Sequence, residues 1–133
     1  MKRRGTKRVD PALEVNIAGD GSAVVVFGSA NLPDGARLGI QAWSGSDEGP
    51  FGDIRALDVL VEAGRYEARV DPAPWASGTV SASVGLRADA TQPISTQELI
   101  GAMGERLLYA DIDGPGYRLV FAVVTQEIDL TKG

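Results

Sequence analysis

The 133-residue chain contains no cysteine and no histidine. Their absence excludes disulfides, metal sites built on thiolate or imidazole ligands, thiol nucleophiles and every mechanism that needs an imidazole base. Lysine is also scarce, since the three lysines are Lys2, Lys7 and Lys132, close to the chain ends. A preorganised Ser–Lys catalytic pair is not expected there. We therefore predict a protein that is not an enzyme and that needs no cofactor.

Carboxylates are the remaining acid–base groups. Asp47, Glu48 and Asp53 share a glycine-rich loop, and such a loop is poorly suited to hold paired catalytic carboxylates in place. We interpret these three acids as solvated loop residues.

The segment 111–116 (Asp-Ile-Asp-Gly-Pro-Gly) has the start of a calcium-binding loop. Pro115 and Ala122 stand where an EF-hand needs ligands, so that motif fails. We predict a turn and no metal site. The alternative is a weaker oxygen-ligand cation site formed by the loop acids Asp47 and Asp53 with Asp111 or Asp113.

Long apolar runs are missing too. No stretch approaches the roughly 18 apolar residues of a membrane span, and no apolar segment follows the basic N-terminus as in a signal peptide. We expect no membrane span. The chain as given is expected in the cytoplasm, or in the cell envelope or outside the cell if an anchor or signal was removed.

Charge is unevenly distributed. Five of the 13 basic residues lie in the first eight positions, namely Lys2, Arg3, Arg4, Lys7 and Arg8. The other 125 residues carry 8 basic against 18 acidic side chains, a net charge of −10. We predict a basic flexible arm over 1–10 and one domain over 11–130. The acidic body disfavours nucleic acid, so binding to an anionic partner is expected only through the arm.

Short alternating patterns, separated by many of the 17 glycines and 7 prolines, indicate strands. They cover 13–17, 23–27, 38–42, 57–61, 66–70, 80–86 and 119–128. Turns at 19–21 and at Ala63-Gly64 predict two hairpins, 13–27 and 57–70. The fold class is therefore all-β: a two-sheet antiparallel β-sandwich of about seven strands, with a β-barrel as the alternative.

One short helix is predicted near 95–103. Ser95-Thr96-Gln97-Glu98 has the spacing of a capping box. Leu99, Ile100 and Met103 would form its apolar face, and Gly104 would end it.

The centres of the strand patterns predict the core. We expect buried side chains at Val24, Val26, Phe27, Leu38, Ile40, Val59, Tyr66, Val84, Leu119 and Phe121.

Three other aromatic residues are candidate binding residues. Phe51 lies in the acidic loop, Trp75 lies beside prolines, and Trp43 ends the third strand with a parity opposite to its core residues. Such aromatic side chains stack on sugars or anchor a protein partner.

The run 30–36 (Ala-Asn-Leu-Pro-Asp-Gly-Ala), the run 61–66 (Val-Glu-Ala-Gly-Arg-Tyr) and Gln92-Pro93 resemble uncharacterised bacterial β-sandwich domains. The similarity covers residues 13–128. It implies a transthyretin-like or immunoglobulin-like sandwich, a type frequent in envelope and secreted proteins, and it assigns no catalytic residue.

By elimination, we predict a non-enzymatic interaction or assembly module that binds a protein partner or a second copy of itself. Sheet edges and loops are the surfaces available to such a module. The alternative is a small-ligand or carbohydrate-binding module that uses the loop aromatics and the acidic loop.

Overall fold

In the computed structural model, residues 8–20, 23–44, 54–70 and 78–128 are described. They form eight strands and one helix. The strands are β1 (Asn16–Asp20), β2 (Ala23–Ser29), β3 (Arg37–Ser44), β4 (Ile54–Leu60), β5 (Arg65–Val70), β6 (Gly78–Ala88), β7 (Ile112–Gly114) and β8 (Tyr117–Ile128). The helix α1 spans Ile94–Ile100.

The strands build two antiparallel sheets. One has the order β1-β2-β5 and the other the order β4-β3-β6-β8-β7. The all-β, two-sheet prediction is confirmed. The short strand β7 is additional, because it occupies part of the segment 111–116 that was predicted to be a turn.

The strand β6 shows why the sequence forms a sandwich. Val80, Ala82, Val84 and Leu86 alternate with small or polar residues, and all four are buried. They pack into one core cluster with the inward-facing residues of the smaller sheet. Among the predicted core residues, those confirmed as buried are Val24, Val26, Leu38, Ile40, Tyr66 and Val84.

Two predicted core residues are wrong. Phe121 is 43% exposed and Phe27 is 37% exposed. The sequence 119–124 (Leu-Val-Phe-Ala-Val-Val) is apolar at both parities, so its alternation does not identify the buried face. Pairing with β6 places Val120 on the core side, and Phe121 therefore points outward. Leu119 and Val59 are half-buried.

The first predicted hairpin is confirmed by the pairing of β1 with β2, but the second is wrong. Residues Glu62 and Arg65 exchange two backbone hydrogen bonds around Ala63-Gly64. Beyond this turn, β4 pairs with β3 in the larger sheet and β5 pairs with β2 in the smaller one. The turn thus carries the chain from one sheet to the other.

The helix differs from its predicted boundaries. Pro93 occupies the N-cap position and no side chain caps the helix, so the predicted capping box is wrong. Gly101, with φ of 95°, follows its last turn. Ile100 is fully buried, whereas Leu99 and Met103 are exposed.

The last residues of the predicted arm lie against the sandwich. Val9 donates a hydrogen bond to the Arg106 carbonyl (2.8 Å) and accepts one from the Leu108 amide (2.8 Å). Its side chain packs on the core. The other arm residues, 1–7, lie outside the described part of the chain.

Candidate interaction site

The outer face of the five-stranded sheet is set by strand alternation. Because Leu38 and Ile40 point into the core, Gly39 and Gln41 of β3 point away from it. Cross-strand pairing then aligns rows of outward residues. One row is Asp58, Gly39, Gly85 and Phe121, and the next is Ala56, Gln41, Ser83 and Val123.

A groove of about 730 Å³ crosses this outer face. Gly39 and Gly85 lie next to each other in its floor, where neither contributes a side chain. A Cβ atom added to Gly85 would lie 3.8 Å from Leu119 and 3.9 Å from Phe121, which is ordinary contact. The groove therefore exists because two strand positions are occupied by glycine, and larger side chains there would fill it.

Apolar side chains form much of the groove wall. Leu119, Phe121 and Val123 project from β8, and Trp43 lines the groove from the end of β3. Phe121 and Val123 are 43% and 46% exposed, whereas Trp43 is only 6% exposed. Large apolar side chains grouped on one solvent-facing sheet surface are typical of binding sites.

Two arginines line one end of the groove, and each has an acidic neighbour. Arg37 lies 3.9 Å from Asp58. Arg87 donates from Nε to Asp89 at 2.6 Å and stacks on the Tyr117 ring at 4.1 Å. This end therefore carries equal numbers of positive and negative charges and presents no net charge to a ligand.

Asp89 is held in its charged form. Burial alone would raise the pKa of its carboxyl, but hydrogen bonds from the Thr91 hydroxyl and amide, together with Arg87, outweigh burial. The pKa of Asp89 is lowered as a result. The carboxylate thus fixes both Arg87 and the turn that follows β6.

Gln92 closes the same end of the groove. Its side-chain carbonyl accepts from the Arg37 amide (2.9 Å), and its Nε2 donates to the carbonyls of Arg37 (3.0 Å) and Arg87 (2.9 Å). The side chain is buried and all of these bonds reach backbone. Gln92 therefore ties the ends of β3 and β6 together beside the groove.

The structure brings one predicted aromatic residue, Trp43, to this surface. It lies on the outward face, as its parity indicated, and is buried at the groove end. The other two, Phe51 and Trp75, lie outside the described residues.

Of the predicted basic arm, Arg8 is described. It donates to the carbonyls of Glu105 (3.3 Å) and Leu107 (3.4 Å). The remaining arm residues lie outside the described part of the chain, namely Lys2, Arg3, Arg4 and Lys7.

The described acidic residues of the alternative cation site, Asp111 and Asp113, each contact a different group. Asp111 accepts the Phe121 amide (2.9 Å), and Asp113 pairs with Arg118 (3.3 Å). Asp47 and Asp53 lie outside the described ranges. Within those ranges, no three acidic side chains cluster in a way that could hold a metal ion.

Sequence reasoning missed the groove residues Gly39, Gly85 and Phe121. Two signals point to them: a glycine inside each of two strand patterns, and an apolar run in β8 that continues on both parities. Each signal alone does not identify a groove, because what it indicates depends on which strands become neighbours in the sheet.

Comparison of the chain with protein-family models gives no match, and neither does a search of the curated proteins. The resemblance to bacterial β-sandwich domains therefore stays a prediction. Among the described residues, no helix is long and apolar enough to span a membrane.

Proposed function

We propose that this protein is a non-enzymatic interaction module that binds a protein partner in the groove on the outer face of the five-stranded sheet. The supporting observation is the group of exposed apolar side chains beside the glycine floor. Phe121, Val123 and Ile112 belong to this face, and each is more than 40% exposed. Exposed apolar groups of this size contribute most of the affinity where a partner buries them.

The groove favours an extended segment of low charge. Its volume of about 730 Å³ lies in the range of specific binding sites. Its arginines are already neutralised by Asp58 and Asp89, so a charged ligand gains little net attraction. Apolar side chains of the partner would pack on Phe121 and Val123, and the side chains of Gln41 and Ser83 supply hydrogen bonds.

A carbohydrate-binding module is the second candidate. The observation that favours it is an exposed aromatic ring, Phe121, on the same surface as the polar groups of Gln41, Ser83 and Asp58. Sugars are bound by stacking on such rings with hydrogen bonds from neighbouring polar groups. If this candidate is correct, Phe121→Ala should reduce glycan binding without changing the assembly state.

Filling the groove tests the main proposal. Gly85→Leu should retain the fold, because a Cβ atom fits at this position and glycine is a poor strand residue. Random twelve-residue peptides are displayed and selected on the immobilised wild-type protein. The enriched peptides should then lose at least tenfold in affinity for Gly85→Leu.

The matched control is Glu67→Leu, which adds leucine to an exposed position of β5 in the other sheet. Selected peptides should bind it as tightly as the wild-type protein. Peptides that bind Gly85→Leu as well as wild type, or enrichment of oligosaccharides but no peptides in parallel screens, would contradict the proposal.

A further inference from the structure

Strand β8 has an edge that is only partly covered. The backbone N–H and C=O groups of its even-numbered residues point toward β6, and those of its odd-numbered residues point to the opposite side. Strand β7 pairs with 117–119, and the Asp111 carboxylate accepts the Phe121 amide. Beyond Phe121, no described residue pairs with the outward backbone groups of Val123 and Thr125.

The other edge strands are shorter and carry charges. Strand β1 has five residues and ends at Asp20, β4 contains Arg55 and Asp58, and β5 contains three charged residues in six. In contrast, the open part of β8 that begins at Phe121 carries one charged residue, Glu127, and 121–126 contain none. Charged side chains are the usual protection of an exposed edge, and this stretch of β8 lacks them.

We propose that two copies of this chain associate through their β8 edges as an antiparallel pair, which joins two five-stranded sheets into one of ten strands. This proposal goes beyond the groove, because it concerns the edge of the sheet and a second copy of the chain. An antiparallel pair related by a two-fold axis offers each copy the same central stretch, 121–126, which is uncharged and partly apolar. This uncharged stretch therefore favours a second copy over a charged partner.

The free length of the edge determines the register. The stretch open to pairing runs from Phe121 to the end of β8, because β7 blocks the residues before it. With a two-fold axis at Val124, the two copies pair along this stretch, and neither β8 strand reaches the residues that β7 covers. Val123 then pairs with Thr125 of the partner subunit, and Thr125 with the partner subunit's Val123. Since directly paired residues share a face, both grooves open on the same side of the joined sheet.

Native mass measurement tests the association. The full chain should have twice the monomer mass of 13.9 kDa. Val123→Pro removes an N–H that points away from β6, so the variant should fold but be monomeric. Val123→Lys, which adds a charge at the same position, should also be monomeric, whereas the uncharged β-branched control Val123→Thr should remain dimeric.

The register is tested by disulfide formation, for which a chain without cysteine is a clean background. Paired residues of this kind have Cα atoms about 5.5 Å apart, within the range that a disulfide spans. An oxidised mixture of Val123→Cys and Thr125→Cys should yield a crosslinked dimer, and neither variant alone should do so.

Three results would overturn this inference: a wild-type chain that is monomeric at all accessible concentrations, dimers that persist in Val123→Pro and Val123→Lys, or efficient crosslinking of Val123→Cys with itself. Gly85→Leu should remain dimeric, since it alters the groove and not the edge. Failure of the dimer is thereby distinguishable from failure of the proposed groove function.

Discussion

At the scale of single residues, Asp89 shows how one carboxylate organises the end of the groove. It accepts the Thr91 amide (2.9 Å) and hydroxyl (2.6 Å), and it fixes Arg87 at 2.6 Å. The same contacts lower the pKa of Asp89. Such a group stabilises the fold fully above the pKa of an unfolded carboxyl, near 3.9, and this contribution is lost as the pH falls through the lower folded-state pKa.

We therefore expect Asp89→Asn to lower the free energy of unfolding by about 1 kcal/mol at neutral pH, because the charged partner of Arg87 is lost. The difference between wild type and variant should shrink as the pH falls below about 4. Urea unfolding of wild type and variant at a series of pH values measures this difference. A difference that stays constant as the pH falls would contradict this assignment of the charge.

Sequence patterns were informative for some residues and silent for others. The outward parity of Trp43 was predicted because β3 alternates cleanly between apolar and small or polar residues. The exposure of Phe121 was not predicted, because both faces of β8 are apolar and only its pairing with β6 decides between them. The place of Gly85 in a groove floor was not predicted either, because such a floor is formed by neighbouring strands and not by one segment.

At the scale of elements, the turn between β4 and β5 is strained at one position. Ala63 has φ of 53° and Gly64 has φ of 75°, as a two-residue turn with positive φ at both central positions requires. An alanine pays roughly 1–2 kcal/mol for this left-handed conformation, whereas glycine does not. The turn that contains this alanine connects strands of different sheets.

We expect Ala63→Gly to raise the free energy of unfolding by about 0.5–1 kcal/mol, after the extra entropy of the unfolded glycine is subtracted. The matched variant is Gly64→Ala. Its added Cβ would meet the Ala30 carbonyl at 3.6 Å, an ordinary contact, so its loss of about 1 kcal/mol would come from φ alone. Urea unfolding of the two variants checks both signs, and destabilisation by Ala63→Gly would refute the assigned turn geometry.

The same elements show where local patterns determine structure. Strand β6 was predicted because four core residues alternate with small or polar ones over its length. The helix was predicted to exist, but its start was wrong, since Pro93 supplies a start that the Ser95 pattern obscured. The second hairpin was wrong because a tight turn determines only its own geometry. The partner of each strand depends on which sheet can bury its apolar face.

At the scale of the whole molecule, the described structure begins inside the basic arm predicted from charge. Val9 packs on the core and forms a parallel bridge with Leu107. Arg8 donates to two carbonyls of the same segment. Residues 2–7, in contrast, include no large apolar side chain. The boundary between the basic arm and the folded body is therefore expected just before Arg8, three residues earlier than the predicted division at 10 and 11.

Two truncations test this boundary. Removing 1–7, with an initiating Met retained, takes the net charge from −5 to −9 and should change the free energy of unfolding by less than about 0.5 kcal/mol. Removing 1–9 also deletes the Val9 contacts and should cost about 1–3 kcal/mol, from lost apolar burial and two backbone hydrogen bonds. Val9→Ala in the full chain separates these contributions, since it keeps the backbone bonds and should lose only the burial. Urea unfolding measures the free energy of unfolding of both truncated chains. An equal loss in the two would mean that residues 1–7 belong to the folded body and that the chain has no separate basic arm.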